Sequence, residues 1–470
     1  MEKRLISAVM FSPRGGSAHV TRALLRELGD LGWLASLVSG SRGDVGGEAD
    51  ARLFYDGIDV RAVDFAQALA TADPMRPPGD LDLVPMHPSF EQREDAPDVV
   101  FAALDDLEFH RQVRAWSEQL DAAGAASADV LYLHHLTPLN EAAARVAPRV
   151  PVVGHLHGTE LLMLEQIEHG PPAGWKFAEQ WRERLLGWAA DCQRLMVSPA
   201  GLERARRLLG VDPERLVPLA NGFDPGVFRP SEIDRFAHWR RHLVEHPTAK
   251  DPAGESIRYA EDEIEVLRDG VVMLYVGRFT EVKRLPFLLE AFASARRRFD
   301  RPAALAVVGG HPGEWEGEHP AQAARRLGLR NVFFAGWQRQ ERLPSFLNAA
   351  DAIILPSARE QFGQTLVEGM ACGLPGIAAN ALGPSRILSD GETGWLFEAD
   401  DRDGLGRALA EAVNEPEERR RRGRLARQET VRRFSWPTLA ARLDHVLTEV
   451  AGLPTLEPDR ESAAESAFDG

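Results

Sequence analysis

Glu360-Gln361-Phe362-Gly363-Gln364-Thr365-Leu366-Val367-Glu368-Gly369-Met370-Ala371-Cys372-Gly373-Leu374-Pro375 is the stretch on which the reading of this chain turns. It follows a short apolar run at 352–355 that reads as a β-strand, and its second half has helical spacing. Glu360 falls in the loop before the helix and Glu368 about one turn inside it. Between them, Gln361, Phe362, Gly363, Gln364 and Thr365 bring unpaired backbone N–H groups to the helix start, a cradle for an anion or a hydroxyl. Carboxylates only accept hydrogen bonds, so they bind diols through paired O–H donors. Two carboxylates flanking such a cradle fit a ligand with hydroxyls at both ends. A carboxylate pair also serves as acid and base in glycoside hydrolysis, but no metal or hydrolytic context surrounds this one. Two ordinary surface glutamates are the plainer alternative.

Outward from this stretch, short apolar runs alternate with amphipathic helical segments, the signature of α/β layers around parallel sheets. In the first half, strands are expected at 5–11, 33–39, 130–134, 152–157 and 195–198, with helices such as 18–31 and 177–191 between them. In the second half, strands are expected at 271–276, 305–308, 332–334 and 352–355. The pattern breaks after Asn221-Gly222-Phe223-Asp224-Pro225, and the polar stretch 230–270 reads as loop. Residues 72–99, rich in Pro and Asp, read as an excursion from the first half. The arginine-rich run 417–433 reads as a solvated helix face paired with glutamates one turn away. The expected division is 1–225 with a returning helix at 436–452, then 226–435, then a disordered tail at 453–470.

Three further constellations sit where strands end. Gly15 and Gly16, with Ser17 and His19, follow the first strand and open a helix, where a ligand can approach the backbone. A tight turn would use the same residues. This is not GxGxxG, and no acidic residue takes the ribose-reading position after the second strand, so a nicotinamide dehydrogenase is disfavoured. His155 and His157, followed by Gly158, Thr159 and Glu160, share a face at the end of another strand. No third ligand at metal spacing accompanies them. They read as contacts to a polar substrate, His157 foremost, or as a structural cap on the next helix. Arg278 follows Gly277 at a strand end, and Lys283 precedes the next helix. A guanidinium and an ammonium converging there suit a diphosphate. The chain has only four lysines, which draws attention to Lys283.

Composition removes several classes of function. The 55 basic and 71 acidic side chains give a net charge of −16, against nucleic-acid binding and against a polybasic membrane surface. Two distant cysteines, Cys192 and Cys372, form no CxxC, so neither a disulfide framework nor a zinc ribbon is expected. No apolar run spans a bilayer. The first residues read as a strand in preference to a signal peptide, because Pro13-Arg14-Gly15-Gly16 follows where a cleavage site would be. A cytoplasmic protein is expected, monomeric or homodimeric.

With these residues together, the chain resembles the retaining glycosyltransferases of family 4 over nearly its whole length. The most specific element is glutamate–seven residues–glutamate followed by Gly369-Met370-Ala371-Cys372-Gly373-Leu374-Pro375. The resemblance implies the GT-B architecture: two facing Rossmann-like domains, an acceptor-binding one first and a nucleotide-sugar-binding one second. It implies a nucleotide diphosphate sugar, UDP or GDP, as co-substrate, with no other cofactor and no metal. It also implies roles for residues. Gly15 and Gly16 approach the donor phosphate and the acceptor, and His157 touches the transferred sugar. Arg278 and Lys283 hold the diphosphate. Glu360 binds sugar hydroxyls, Glu368 binds the ribose, and backbone groups near Ala335 hold the base. Ser17, His19, His155, Glu160 and Asn221 are the residues expected at the acceptor. The chain departs from the family pattern in its long linker and in residues 309–320, which stand where a short glycine-aspartate-glycine-proline turn is usual. The expected reaction is retaining transfer to a small soluble acceptor. An epimerase of the same fold, a sulfur or nitrogen acceptor, and a lipid-linked acceptor are the alternatives.

Overall fold

A computed structural model describes residues 2–13, 15–66, 68, 85–90, 98–311 and 315–454. It contains two compact units, Met1–Ala220 with the chain from Leu439 onward, and Asn221–Thr438. Each is a parallel sheet with helices, as the alternation of apolar runs and amphipathic helices requires.

In the first unit the strands are β1 (Lys3–Val9), β2 (Trp33–Ser41), β3 (Asp59–Asp64), the short pair β4 (Pro88–Ser89) and β5 (Val99–Val100), then β6 (Val130–His134), β7 (Val152–Leu156), β8 (Arg194–Val197) and β9 (Leu216–Pro218). The main sheet runs β3-β2-β1-β6-β7-β8-β9, every pair parallel. Strand order therefore reverses between β1 and β6, the crevice at which open α/β sheets bind ligands. The helix Gly16–Asp30 buries Ala18, Thr21, Leu24, Leu25 and Leu28, a stripe at three- and four-residue spacing. From Leu439 onward the helix Trp436–Val450 belongs to this unit. Its Asp444 accepts from Lys3 Nζ at 2.9 Å and from Trp33 Nε1 at 2.7 Å. The described ends of the 72–99 excursion are docked on the crevice side. His87 Nε2 accepts the Ser12 backbone N–H at 3.3 Å, and His87 Nδ1 lies 2.9 Å from Asp98.

In the second unit the strands are β10 (Val271–Gly277), β11 (Ala303–Gly309), β12 (Val332–Gly336), β13 (Ala352–Leu355), β14 (Gly376–Ala379) and β15 (Gly394–Phe397). Their order is β12-β11-β10-β13-β14-β15, again all parallel, with the reversal between β10 and β13. The motif containing Glu360 and Glu368 follows β13, so it lies at this second reversal.

Two expectations need correction. The stretch 230–270 is not a loop: it holds the helices Arg235–Arg240 and Val266–Asp269 and one turn of π-helix at Arg241–Glu245. Sparse apolar residues do the folding: Trp239, Leu243, Ile264 and Leu267 are fully buried, and Trp239 Nε1 donates to the Ala349 carbonyl at 3.1 Å. The arginine-rich helix, Pro416–Phe434, is paired as expected on its outer face, by Arg420 with Glu417 and Arg432 with Glu429. Arg422, however, is buried, its guanidinium 4.2 Å from the Trp395 ring centroid and 2.8 Å from the Gly394 carbonyl. The tail expected to be disordered lies, from residue 455, outside the described residues.

Candidate active site

In the second unit, Gly277 ends β10 and Arg278 stands exposed just beyond it. The turn is fixed by Tyr275, whose hydroxyl donates to the Arg278 carbonyl at 2.7 Å. Neighbouring Gly309 has φ 135°, and a Cβ there would sit 1.8 Å from the Gly277 carbonyl, so only glycine permits this approach of β11 to β10. Trp315 and Glu316 brace the same turn. Phe279 bridges to Trp315, and the Glu316 carboxylate accepts the Glu281 N–H at 2.9 Å. Residues 312–314 lie outside the described residues. Lys283 ends a 3-10 turn, Glu281–Lys283, and its ammonium donates to the Glu360 carboxylate. Ser357 Oγ, which donates to the Val282 carbonyl at 2.8 Å, ties the loop after β13 to that turn. A cation and a carboxylate from opposite sides of the strand reversal thus meet directly. A diphosphate taking Lys283 would leave the Glu360 carboxylate open to hydroxyl donors.

Gly363, at φ 105°, caps the helix Gln364–Ala371. Gln361 is exposed, Phe362 packs edge-on against Phe434 at 5.7 Å, and Thr365 is half-buried in the first turn. Glu368, 2% exposed, accepts from Gln364 Nε2 and Gln340 Nε2, both at 3.2 Å. Burial pushes its carboxyl up to about 7, against the pull of those two amides. Gln364 also donates to the Gly222 carbonyl at 3.0 Å, next to half-buried Asn221. Asn221 is the first residue of the second unit. The Ala335 carbonyl already accepts from Thr248 Oγ1 at 2.9 Å and from Gln338 at 3.1 Å, and the Phe334 N–H donates to Tyr259. The long linker thus occupies backbone groups that were expected to be open at the end of β12.

In the first unit, Gly15 and Gly16 open the helix Gly16–Asp30. A Cβ at either would meet nothing within 4 Å, so the protein's own packing does not call for glycine there. Arg14 lies outside the described residues. Ser17 is half-buried and its carbonyl accepts from Thr21, whereas exposed His19 lies edge-on to Phe54 at 5.0 Å. His155 and Glu160 are not surface contacts for an acceptor. His155 is buried, 2.5 Å from the Tyr132 hydroxyl, and burial holds its imidazole at about 3. Glu160 is fully buried: it accepts the His157 backbone N–H at 2.8 Å and lies 3.3 Å from His135 Nδ1. Burial raises its carboxyl, but the His135 charge and these hydrogen bonds outweigh it and leave it below the usual range. Glu160 is thus a clamp on the turn that carries His157, which itself is half-buried.

His134, at the end of β6, was not singled out from sequence and stands at the centre of this cluster. Its Nδ1 is 3.0 Å from His157 Nε2, and its Nε2 is 3.2 Å from Thr21 Oγ1. Burial, reinforced by neighbouring imidazoles, holds both His134 and His157 well below the usual histidine range. It also supplies the third nitrogen missing from the sequence pattern: His134, His155 and His157 carry ring nitrogens within 4.8 Å of one another. The rule that ligands sit where strand order reverses would have found His134, had β1 and β6 been known to be neighbours.

Comparison with known proteins follows this division. A family model described as Glycosyltransferase Family 4 matches residues 14–227, and one described as Glycosyl transferases group 1 matches residues 260–429. The chain belongs to glycosyltransferase family 4. A D-inositol 3-phosphate glycosyltransferase of Catenulispora acidiphila is 32% identical over 241 residues, 50% of this chain and 51% of that protein. An alpha-maltose-1-phosphate synthase of Mycolicibacterium smegmatis is 26% identical over 283 residues, 58% of this chain and 66% of that protein. The chain thus spans about half to two thirds of the length of these two family members. Among solved structures, sucrose-phosphate synthase from Thermosynechococcus elongatus has a TM-score of 0.64 at 18% identity, covering 96% of this chain and 99% of that one. Anabaena Alr3699/HepE in complex with UDP and glucose has a TM-score of 0.62 at 18% identity, covering 95% and 100%. The fold is α/β of the GT-B type.

Proposed function

We propose that the protein transfers a sugar from a nucleotide diphosphate sugar to a small polar acceptor, with retention at the anomeric carbon and without a metal. The observation that carries this reading is the placement of Lys283, Glu360 and Glu368 around one helix start at the β10–β13 reversal. Arg278 and Lys283 take the diphosphate and stabilise the charge that grows on it as the bond to the sugar breaks. Glu360 serves sugar hydroxyls and Glu368 the ribose diol. No side chain is placed as an obvious nucleophile, so the acceptor attacks from the face of the departing phosphate, which takes the acceptor's proton. Two relatives carry phosphorylated small molecules in their names, which favours a phosphorylated polyol or sugar as acceptor. Among the described residues, no helix is long and apolar enough to cross a membrane.

The test is a thermal-shift panel of UDP, GDP and their sugars, followed by transfer assays on inositol phosphate and sugar phosphates. A binding nucleotide at 100 times its Kd raises stability by about 2.7 kcal/mol. Transfer that survives exhaustive EDTA supports the metal-free mechanism; loss with EDTA and recovery with magnesium or manganese rejects it. No shift with any nucleotide diphosphate rejects the donor assignment.

A further inference from the structure

The histidine cluster of the first unit has a definite direction. Thr21 Oγ1 carries one proton and donates it to the Ser17 carbonyl at 2.8 Å, the helical residue four positions earlier. Toward His134 Nε2, 3.2 Å away, that hydroxyl can then only accept, so the proton of His134 is on Nε2. His134 is buried and neutral, which leaves its Nδ1 bare. The nitrogen 3.0 Å from it, His157 Nε2, must be the donor of that contact. His157 is neutral too, so its one proton is spent inside the protein and its Nδ1 holds an open lone pair. Among the described residues no protein group pairs with that nitrogen.

We propose that Thr21 and His134 are positioning residues that lock His157 in the Nε2–H tautomer, so that His157 meets its ligand only as a hydrogen-bond acceptor. The ligand chemistry this selects is a hydroxyl with a proton to give, and it disfavours an ether or carbonyl oxygen at the same place. The inference rests on the reading above that His157 faces the transferred sugar. The competing use of these rings, a divalent ion held by His134, His155 and His157, fits the geometry less well. Two imidazole nitrogens on one tetrahedral zinc at about 2.0–2.1 Å would stand roughly 3.4 Å apart. The observed 3.0 Å is hydrogen-bond length, and the His155 and His157 rings are stacked at 4.4 Å and 21°.

The experiment is long-range proton–nitrogen correlation NMR on protein with 15N-labelled histidine, with His134 and His157 assigned from single His→Asn variants. Wild type is expected to show protonated Nε2 and bare Nδ1 in both rings. Thr21→Val removes the acceptor but keeps the volume. His134 then turns over to Nδ1–H, and His157 follows it; Thr21→Ser restores the wild-type pattern. A His157 that carries its proton on Nδ1 in wild type, or that ignores Thr21→Val, overturns the lock. Zinc added stoichiometrically and perturbing all three rings at once overturns it as well. Kinetics separate the inference from the reading beneath it. Thr21→Val is expected to lower kcat about tenfold with sugar donor, while the Kd for nucleoside diphosphate without sugar stays unchanged. An inactive wild type with the expected spectra would reject the transferase reading and leave the tautomer lock standing.

Discussion

Glu360 and Glu368 belong to one motif but occupy opposite electrostatic surroundings. Glu360 shares its charge with Lys283 near the surface, whereas Glu368 is buried with two amide donors and, among the described residues, pairs with no cation. Loss of Glu368 should remove binding common to ground and transition states, so Glu368→Gln raises donor KM with little change in kcat. On the proposed reading Glu360 faces the sugar as it gains positive charge, so Glu360→Gln is expected to lower kcat by about 10²–10³. Calorimetry with nucleoside diphosphate checks the split: the Glu368 variant binds poorly and the Glu360 variant almost normally. The opposite result reverses the roles. Glu368 adds a pH signature. With its carboxyl at about 7, only the ionised form could accept from both hydroxyls of the ribose that the proposed function assigns to it. Affinity for nucleoside diphosphate should fall up to about tenfold per unit below pH 7. That part of the pH dependence should vanish in Glu368→Gln, measured side by side to cancel the phosphate's own titration.

At the scale of elements, the long linker is part of the second unit's architecture. Trp239 fills a buried position against Phe346 at 5.7 Å and gives its indole N–H to the Ala349 carbonyl. Trp239→Ala should destabilise this unit by about 3–5 kcal/mol, as large-to-small core changes do. Denaturant unfolding followed by hydrogen exchange in residues 271–355 reads the loss, and a change confined to residues 235–245 would show the linker to be an independent appendage. The linker also reaches the end of β12 through Thr248 and Tyr259. Thr248→Val frees the Ala335 carbonyl of one donor without changing volume. Its expected effect is on nucleotide affinity more than on stability, tested by comparing UDP and GDP binding in the variant.

At the scale of the whole chain, desolvated histidines and Glu368 carry opposite pH sense; the second unit holds both, because burial also lowers His238 to about 3 and His242 to about 4. In the first, His134, His155 and His157 are held neutral below the ordinary histidine value. The unfolded chain takes up protons that the folded unit refuses, so this stability is present above about pH 6.5 and is lost as pH falls. In the second, Glu368 is held up to about 7 from an ordinary value of 4.5. Here the folded unit keeps a proton that the unfolded chain releases, so the contribution is present below 4.5 and is lost as pH rises to 7. Its size is on the order of 3 kcal/mol. Calorimetry between pH 5 and 6.5 should resolve a first-unit transition that rises with pH; Glu368→Gln should raise the second-unit transition at pH 8. A first-unit transition that stays flat over that range would reject the histidine assignment, and a Glu368→Gln variant no more stable than wild type at pH 8 would reject the one for Glu368.

Much of this protein is readable from its sequence, because the signals are local. Strands such as Val130–His134 and Ala352–Leu355 are continuous apolar runs, since both faces of a parallel sheet are covered. The Glu360–Glu368 spacing is likewise confined to one loop and the helix that follows it. The missed strands are those whose signal depends on neighbours. Asp59–Asp64 lies at a sheet edge with half its residues exposed, and Gly376–Ala379 is only four residues, three of them glycine or alanine. The roles of single residues were decided by tertiary structure wherever a partner lies far along the chain. Glu160 and His155 have the same residue types as ligand contacts, and only their burial against His135 and Tyr132 makes them supports. His134 meets Thr21 across 113 positions, and Gln340 meets Glu368 from another strand's end. Sequence determines which residues can donate, accept or pack within a turn or two. Which donor finds which acceptor depends on the order of strands in the sheet, and in this chain that order brings β1 beside β6 and β10 beside β13.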